Sequence, residues 1–337
     1  MLERNKKLIE AIIEKADRDC PGALAMIGIY GSFLTGDIHD KSDLDLLILV
    51  NDSRGYGLAA TFIHEDEAIG HDLYCTTWEQ LEADASFTHP HISKLMDSEI
   101  VYCADPAHLT RLETLRCQAM TTDTRSAAEN ALKEAERCFA KALLATDLPD
   151  IRFWAGYMIH QIFDSIALLN HRYFKLGTRR VFDEIEAMVH KPDNLRSLVD
   201  PILQAGNPEA LKAALSPLMQ AAEELFPAAY HPAEIFPGTY EEMFSNWRNK
   251  MYLAAETNDR YLSFSSLGSL DVMLKELGFT YDVMAKYNPE DLLSSAKAFD
   301  NILEEYRKEY NKAGIAIATY PDVDVFIDEY IKNETAR

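Results

Sequence analysis

Two apolar runs, residues 23–30 and 46–50, are separated by one short, mostly polar segment: Gly31-Ser-Phe-Leu-Thr-Gly36-Asp-Ile-His-Asp-Lys-Ser42-Asp43-Leu-Asp45. Each run has the length and apolar content of a buried β-strand. Gly31 and Ser32 turn the chain directly after the first strand, and Ser32 is placed to cap a short helix beginning near Phe33. The second strand, residues 43–50, opens with Asp43 and Asp45. Side chains two apart on a strand point to one face, so both carboxylates converge on the same side of the sheet.

The surrounding chain extends this into an α+β architecture. Leu8, Ile9, Ile12 and Ile13 recur at helical spacing and predict an amphipathic helix that stops before Pro21-Gly22. After a connection at residues 51–57 and a short helix, residues 69–76 read as a third strand with Asp72 in its middle. Residues 100–103 add a last strand before Asp105-Pro106 breaks the pattern. Beyond residue 107, Ala, Leu, Glu and Lys dominate helical segments at 126–145, 152–174 and 241–256, punctuated by prolines. With 337 residues the chain exceeds the roughly 250–300 at which single cores stop growing. The expected division is a small mixed-sheet head, residues 1–106, followed by an all-helical domain, residues 107–337.

The net charge of −22 repels phosphate backbones at long range and argues against a nucleic-acid substrate. A cationic or neutral small molecule fits the field better. The five cysteines are scattered without zinc-ligand or disulfide spacing, and they read as reduced thiols. The first residues lack an uninterrupted apolar stretch of signal-peptide length, and no run approaches the ~20 apolar residues of a membrane helix. A soluble, cytoplasmic protein without a membrane partner is expected; the oligomeric state is not legible.

Each part of the glycine-serine-aspartate segment has a physical task. Gly31 lets a polyphosphate approach the backbone, Ser32 offers a hydroxyl, and amides at a helix start favour anionic oxygens. Asp43 and Asp45 supply hard oxygen ligands of the kind magnesium prefers. This segment resembles the signature of the polymerase-β-type nucleotidyltransferase superfamily: glycine-serine, a spacer, then aspartate-hydrophobic-aspartate. Gly36 and Ser42 also fall where small bacterial members have them.

The resemblance covers about the first hundred residues. It implies Mg2+, two ions held by Asp43 and Asp45, with Asp72 as the third carboxylate, sharing a metal or accepting a proton. It implies transfer of a nucleoside monophosphate from a nucleoside triphosphate to an acceptor hydroxyl; AMP is the expected nucleotide, though the sequence does not specify the base. Gly31, Ser32 and Ser42 would bind the nucleotide.

The helical remainder resembles, in arrangement only, the second domain of kanamycin-type nucleotidyltransferases. That likeness implies a small-molecule acceptor, an aminoglycoside being one, bound by the helical domain. A protein acceptor and a non-catalytic nucleotide-binding scaffold are the alternatives.

Within residues 152–180, Tyr157, Gln161, Asp164, Leu168 and Arg172 follow at helical spacing, and Lys175, Arg179 and Arg180 cluster beyond. Such a helix could present Asp164 towards the cleft as a base from the helical domain and the basic cluster towards the triphosphate, with Lys175 and Arg179 binding the nucleotide, but the simpler reading is a core helix with a solvated basic end. His89-Pro90-His91 brings two imidazoles close together. No third ligand follows at a fitting spacing, so these read as surface-loop residues rather than a metal site.

Overall fold

β1 (Leu24–Ile29) and β2 (Leu46–Val50) are buried at every position. Both faces of their sheet are covered, so neither strand needs a polar side, and the sequence shows continuous apolar runs instead of alternation. One cover is α1 (Glu3–Asp19), whose Ile9, Ile12 and Ala16 join Ile27, Ile29, Leu46 and Ile48 in one apolar cluster.

The computed structural model describes residues 3–36, 42, 44–65, 69–227 and 235–332. The chain divides into two compact units, Met1–Pro227 and Ala228–Arg337.

In the first unit, β1 leads through the single-turn helix α2 (Ser32–Thr35) towards β2. A 3-10 turn at Ser53–Leu58 forms the connection, and β3 (Ala60–His64) takes the place of the short helix expected after it. The strand expected over residues 69–76 divides at Tyr74 into β4 (Ile69–Leu73), paired antiparallel with β3, and β5 (Cys75–Thr77), paired parallel with β2. Helices α3 (Trp78–Ala85) and α4 (Ser93–Met96) precede β6 (Glu99–Cys103). The four-stranded sheet runs β5-β2-β1-β6, with β1 antiparallel to both β2 and β6. It is the small mixed sheet of an α+β head.

The boundary expected between residues 106 and 107 coincides with the start of α5 (Pro106–Thr121), capped by Asp105. The apolar cluster continues across it. Leu112, Leu115 and Ala119 of α5 pack with Leu47, Leu49, Trp78 and Leu81. Ala128 of α6 (Arg125–Leu144) and Leu168 of α7 (Leu148–Leu169) enter the same cluster.

The short connection at residues 145–147 sets α6 and α7 side by side. Buried hydroxyls fasten them: Ser165 Oγ donates to the Ala128 carbonyl at 2.8 Å, and Thr124 Oγ1 to the Leu168 carbonyl at 2.6 Å. A second core lies between these helices and α8 (Val181–Glu186), α9 (Leu195–Gln204) and α10 (Pro208–Glu223), where Met158, Ile162, Leu211 and Leu215 are fully buried. The long helix stops at Leu169, five residues before its expected end. Asn170 folds its amide back to the Ile166 carbonyl and accepts from the Val189 and His190 amides, while His171 takes a left-handed φ of 51°.

The second unit is helical among its described residues: α11 (Thr239–Met243), α12 (Asn249–Thr257), α13 (Arg260–Glu276), α14 (Leu292–Lys312) and α15 (Val323–Lys332). A π-turn at Phe244–Arg248 interrupts the helix expected over 241–256. Its core holds Leu267, Leu270, Phe299 and Tyr306, and Asp300 accepts from both Arg248 and Tyr252. No helix of the described residues is long and apolar enough to cross a membrane.

Candidate active site

The site begins where β1 ends. The Tyr30 amide donates to the Asp45 carbonyl at 3.2 Å, which holds the exit of β1 against the approach to β2. Gly31 follows with φ 72° and ψ −148°, a conformation that suits glycine. A Cβ at this position would lie 2.0 Å from Asp45 Oδ2. Gly31, rather than Ser32, takes the N-cap position, because its carbonyl accepts from the Leu34 and Thr35 amides and no side chain caps the turn. The Ser32 hydroxyl is therefore not used as the cap that the sequence predicts.

Gly31, Ser32, Ser42 and Asp45 line one cavity of about 490 Å³ together with Lys175, Arg179 and Arg180. One helical turn sums few aligned peptide dipoles. The positive charge of the cavity therefore comes from the basic segment beyond α7, while Asp45 supplies a carboxylate.

That segment is held at several points. The Phe174 amide donates to the Pro90 carbonyl at 2.9 Å, and the Glu184 carboxylate of α8 accepts the Lys175 and Leu176 amides at 2.7 and 3.1 Å. Burial pushes the Glu184 carboxyl above its ordinary range, against the two amides that favour its charged form. Lys175 Nζ lies 3.1 Å from Asp97 Oδ1, and Tyr173 donates to the same oxygen at 2.8 Å. The hydrogen bond to Tyr173, and then that to Asp97, holds the Lys175 ammonium above the usual lysine value in spite of partial desolvation.

Asp43 lies outside the described residues. Asp72 is exposed on β4, opposite Thr61 of β3, and does not line the cavity. It belongs to a shallow cleft on the β3–β4 ribbon with Phe62 and His71. The parallel register of β2 and β5 pairs Ile48 with Cys75 and Leu49 with Thr76. That ladder covers only Ile48–Val50 with Cys75–Thr77, and Asp72 lies beyond the break at Tyr74 in the separate β3–β4 ribbon. Tyr74, between the ribbon and β5, brings its hydroxyl within 3.4 Å of that of Tyr30 on the cavity wall.

The basic cluster and the strand carboxylate, far apart in sequence, thus share one cavity. Asp164 is buried, and its Oδ1 accepts from His91 Nε2 at 2.9 Å. His91 also lines the cavity, a role that its sequence position gave no reason to expect. A cleft of about 600 Å³ around Asp123, Arg125, His171 and His190 lies elsewhere on the unit and contains none of the predicted residues.

Residues 6–97 match the nucleotidyltransferase domain family. This part of the chain is a nucleotidyltransferase domain. Its class of chemistry is transfer of a nucleoside monophosphate from a nucleoside triphosphate, and the chain is a nucleotidyltransferase. The match ends next to α4, so the nucleotidyltransferase domain contains Gly31, Ser32, Ser42, Asp43, Asp45 and Asp72 but not Lys175 or Arg179. Among solved structures, the chain is similar to a nucleotidyltransferase-like protein from Exiguobacterium sibiricum 255-15, at 12% identity over 81% of this chain and 89% of that one, with a TM-score of 0.37. No curated protein matches the chain.

Proposed function

We propose that this nucleotidyltransferase transfers AMP from ATP to a hydroxyl of a small cationic molecule, with aminoglycosides as the acceptor class to try first. The observation that carries the reading is the Asp45 carboxylate, set against Gly31 and sharing its cavity with Lys175, Arg179 and Arg180. The net charge of −22 favours a cationic or neutral acceptor, of which the cationic class is tried first.

The donors on the strand side of the cavity, the Asp45 carboxylate and the Ser32 and Ser42 hydroxyls, are hard oxygens and fit magnesium. Asp43 and Asp45 are the residues to hold two ions. Bound there, magnesium would neutralise the phosphates and make the acceptor hydroxyl more acidic. Gly31 leaves the backbone open to the phosphates, and Ser32 and Ser42 offer hydroxyls. Lys175 and Arg179 counter the charge of the departing pyrophosphate.

The acceptor oxygen bonds to the α-phosphorus as the bond to the β-phosphate bridging oxygen breaks. Asp72 is the residue to take the hydroxyl proton or share a metal.

Calorimetric titration of nucleoside triphosphates with magnesium tests the site, comparing wild type with the double variant Asp43→Asn, Asp45→Asn. Magnesium-dependent binding that prefers ATP and disappears in the variant is the expected result. A wild type that binds no nucleotide would overturn the reading. A pyrophosphate-release screen over polyhydroxyl amines then tests the acceptor class.

A further inference from the structure

His160 and Asp164 stand four residues apart on α7, so their side chains share one face of the helix. His91, from the loop before α4, meets that face. His91 Nε2 is 2.9 Å from Asp164 Oδ1, His160 Nε2 is 3.9 Å from Asp164 Oδ2, and the two imidazole centroids are 5.1 Å apart. One ligand atom from each of the three residues falls within 4.8 Å of the others.

We propose that His91, His160 and Asp164 bind one divalent transition-metal ion, zinc by preference, at a site separate from the magnesium site. Ligand atoms around tetrahedral zinc lie about 3.3 Å apart, given bonds of about 2.0–2.1 Å to nitrogen. The two histidine-to-carboxylate separations, each to a different Asp164 oxygen, fall on either side of that value, and with all three ligand atoms within 4.8 Å side-chain rotations can close the set. Both imidazoles are about half exposed and can make those rotations, whereas Asp164 is nine-tenths buried and fixed by its helix.

The donor set discriminates between metals. Two imidazole nitrogens suit zinc, cobalt or nickel and not magnesium, which prefers oxygen. His89, which the sequence pairs with His91, instead lies 3.6 Å from Asp84 and takes no part. The third ligand comes from a helix far along the chain.

A second observation points to a ligand. His91 and His160 line a cavity of about 250 Å³ whose walls include Ile159, Phe163, Phe174 and Val181. Three protein ligands leave a fourth zinc position open, and this cavity is the space next to it. Its apolar walls strengthen charge interactions with the ion.

The test uses the full chain, stripped with a chelator and titrated with cobalt(II) as a visible-spectrum probe. Wild type is expected to bind one cobalt ion with the intense visible bands of a four-coordinate nitrogen and oxygen site. Excess zinc should displace it and excess magnesium should not. His160→Ala removes a half-exposed side chain, so the fold survives, and affinity should fall by about 10- to 100-fold or more, the scale on which even a ligand's supporting partner counts. Asp164→Asn should weaken binding likewise, while Asp45→Asn should leave it unchanged.

Three results would overturn the site. Cobalt could keep its pale six-coordinate spectrum, His160→Ala could bind as tightly as wild type, or a strong near-ultraviolet thiolate band could assign the ion to cysteine.

Discussion

The Asp45 carboxylate occupies the space where a side chain on Gly31 would begin, with Oδ2 2.0 Å from the position of that missing Cβ. The glycine therefore admits the carboxylate, and the positive φ of 72° adds a second reason for it.

Gly31→Ala should disturb the site twice over. The left-handed backbone costs about 1–3 kcal/mol for a residue with a Cβ, and the added methyl drives Asp45 away. A lower melting temperature together with a fall in pyrophosphate release of about tenfold or more is expected, read by calorimetry and by a coupled assay. An alanine variant with unchanged turnover would show that Asp45 has room the structure does not give it.

Asp72 and Asp45 should separate kinetically. If Asp72 takes the acceptor's proton, Asp72→Asn keeps nucleotide binding and loses turnover by about 10²- to 10⁴-fold. Equal losses of nucleotide affinity in both variants would place Asp72 among the metal ligands instead.

Lys175 carries the pH prediction. Its folded pKa is raised, so its stabilising charge is fully present below the ordinary value of 10.5 and is lost only as pH rises through the higher folded value. The KM for the triphosphate should therefore stay flat, as far as Lys175 is concerned, from neutral into mildly alkaline solution. Tyr173→Phe removes the first cause of the shift and should move the alkaline rise in KM to lower pH. Lys175→Ala should raise KM at every pH.

Leu47 is fully buried on β2, two residues beyond Asp45 in the chain. Leu47→Ala should cost about 2–5 kcal/mol. A denaturant midpoint that hardly moves would mean that the covering helices close over the gap.

The first strands and the glycine-serine turn were legible because their cause is local: two runs buried on both faces, joined by residues with few alternatives. β3 was not, since Ala60, Thr61, Phe62 and Ile63 are all exposed and leave no buried face for a periodicity to report. The end of α7 was also hidden, because the amide groups that stop it include those of Val189 and His190. Lys175 and Arg179 could be picked out as a basic cluster, yet their place opposite Asp45 depends on Glu184 and Pro90. The contact between His91 and Asp164 spans 73 residues and carries no spacing that a sequence could reveal.

The hydrogen bond from the Phe174 amide to the Pro90 carbonyl makes neighbours of two loops that otherwise answer to different helices. His91 comes directly after one end of this tether and Lys175 directly after the other. A ligand held by Lys175 and one held by His91 would therefore share a single backbone tether. Any coupling carried by that tether would be reciprocal, so an occupant of the histidine pocket would change affinity at Lys175 by the same factor as the reverse.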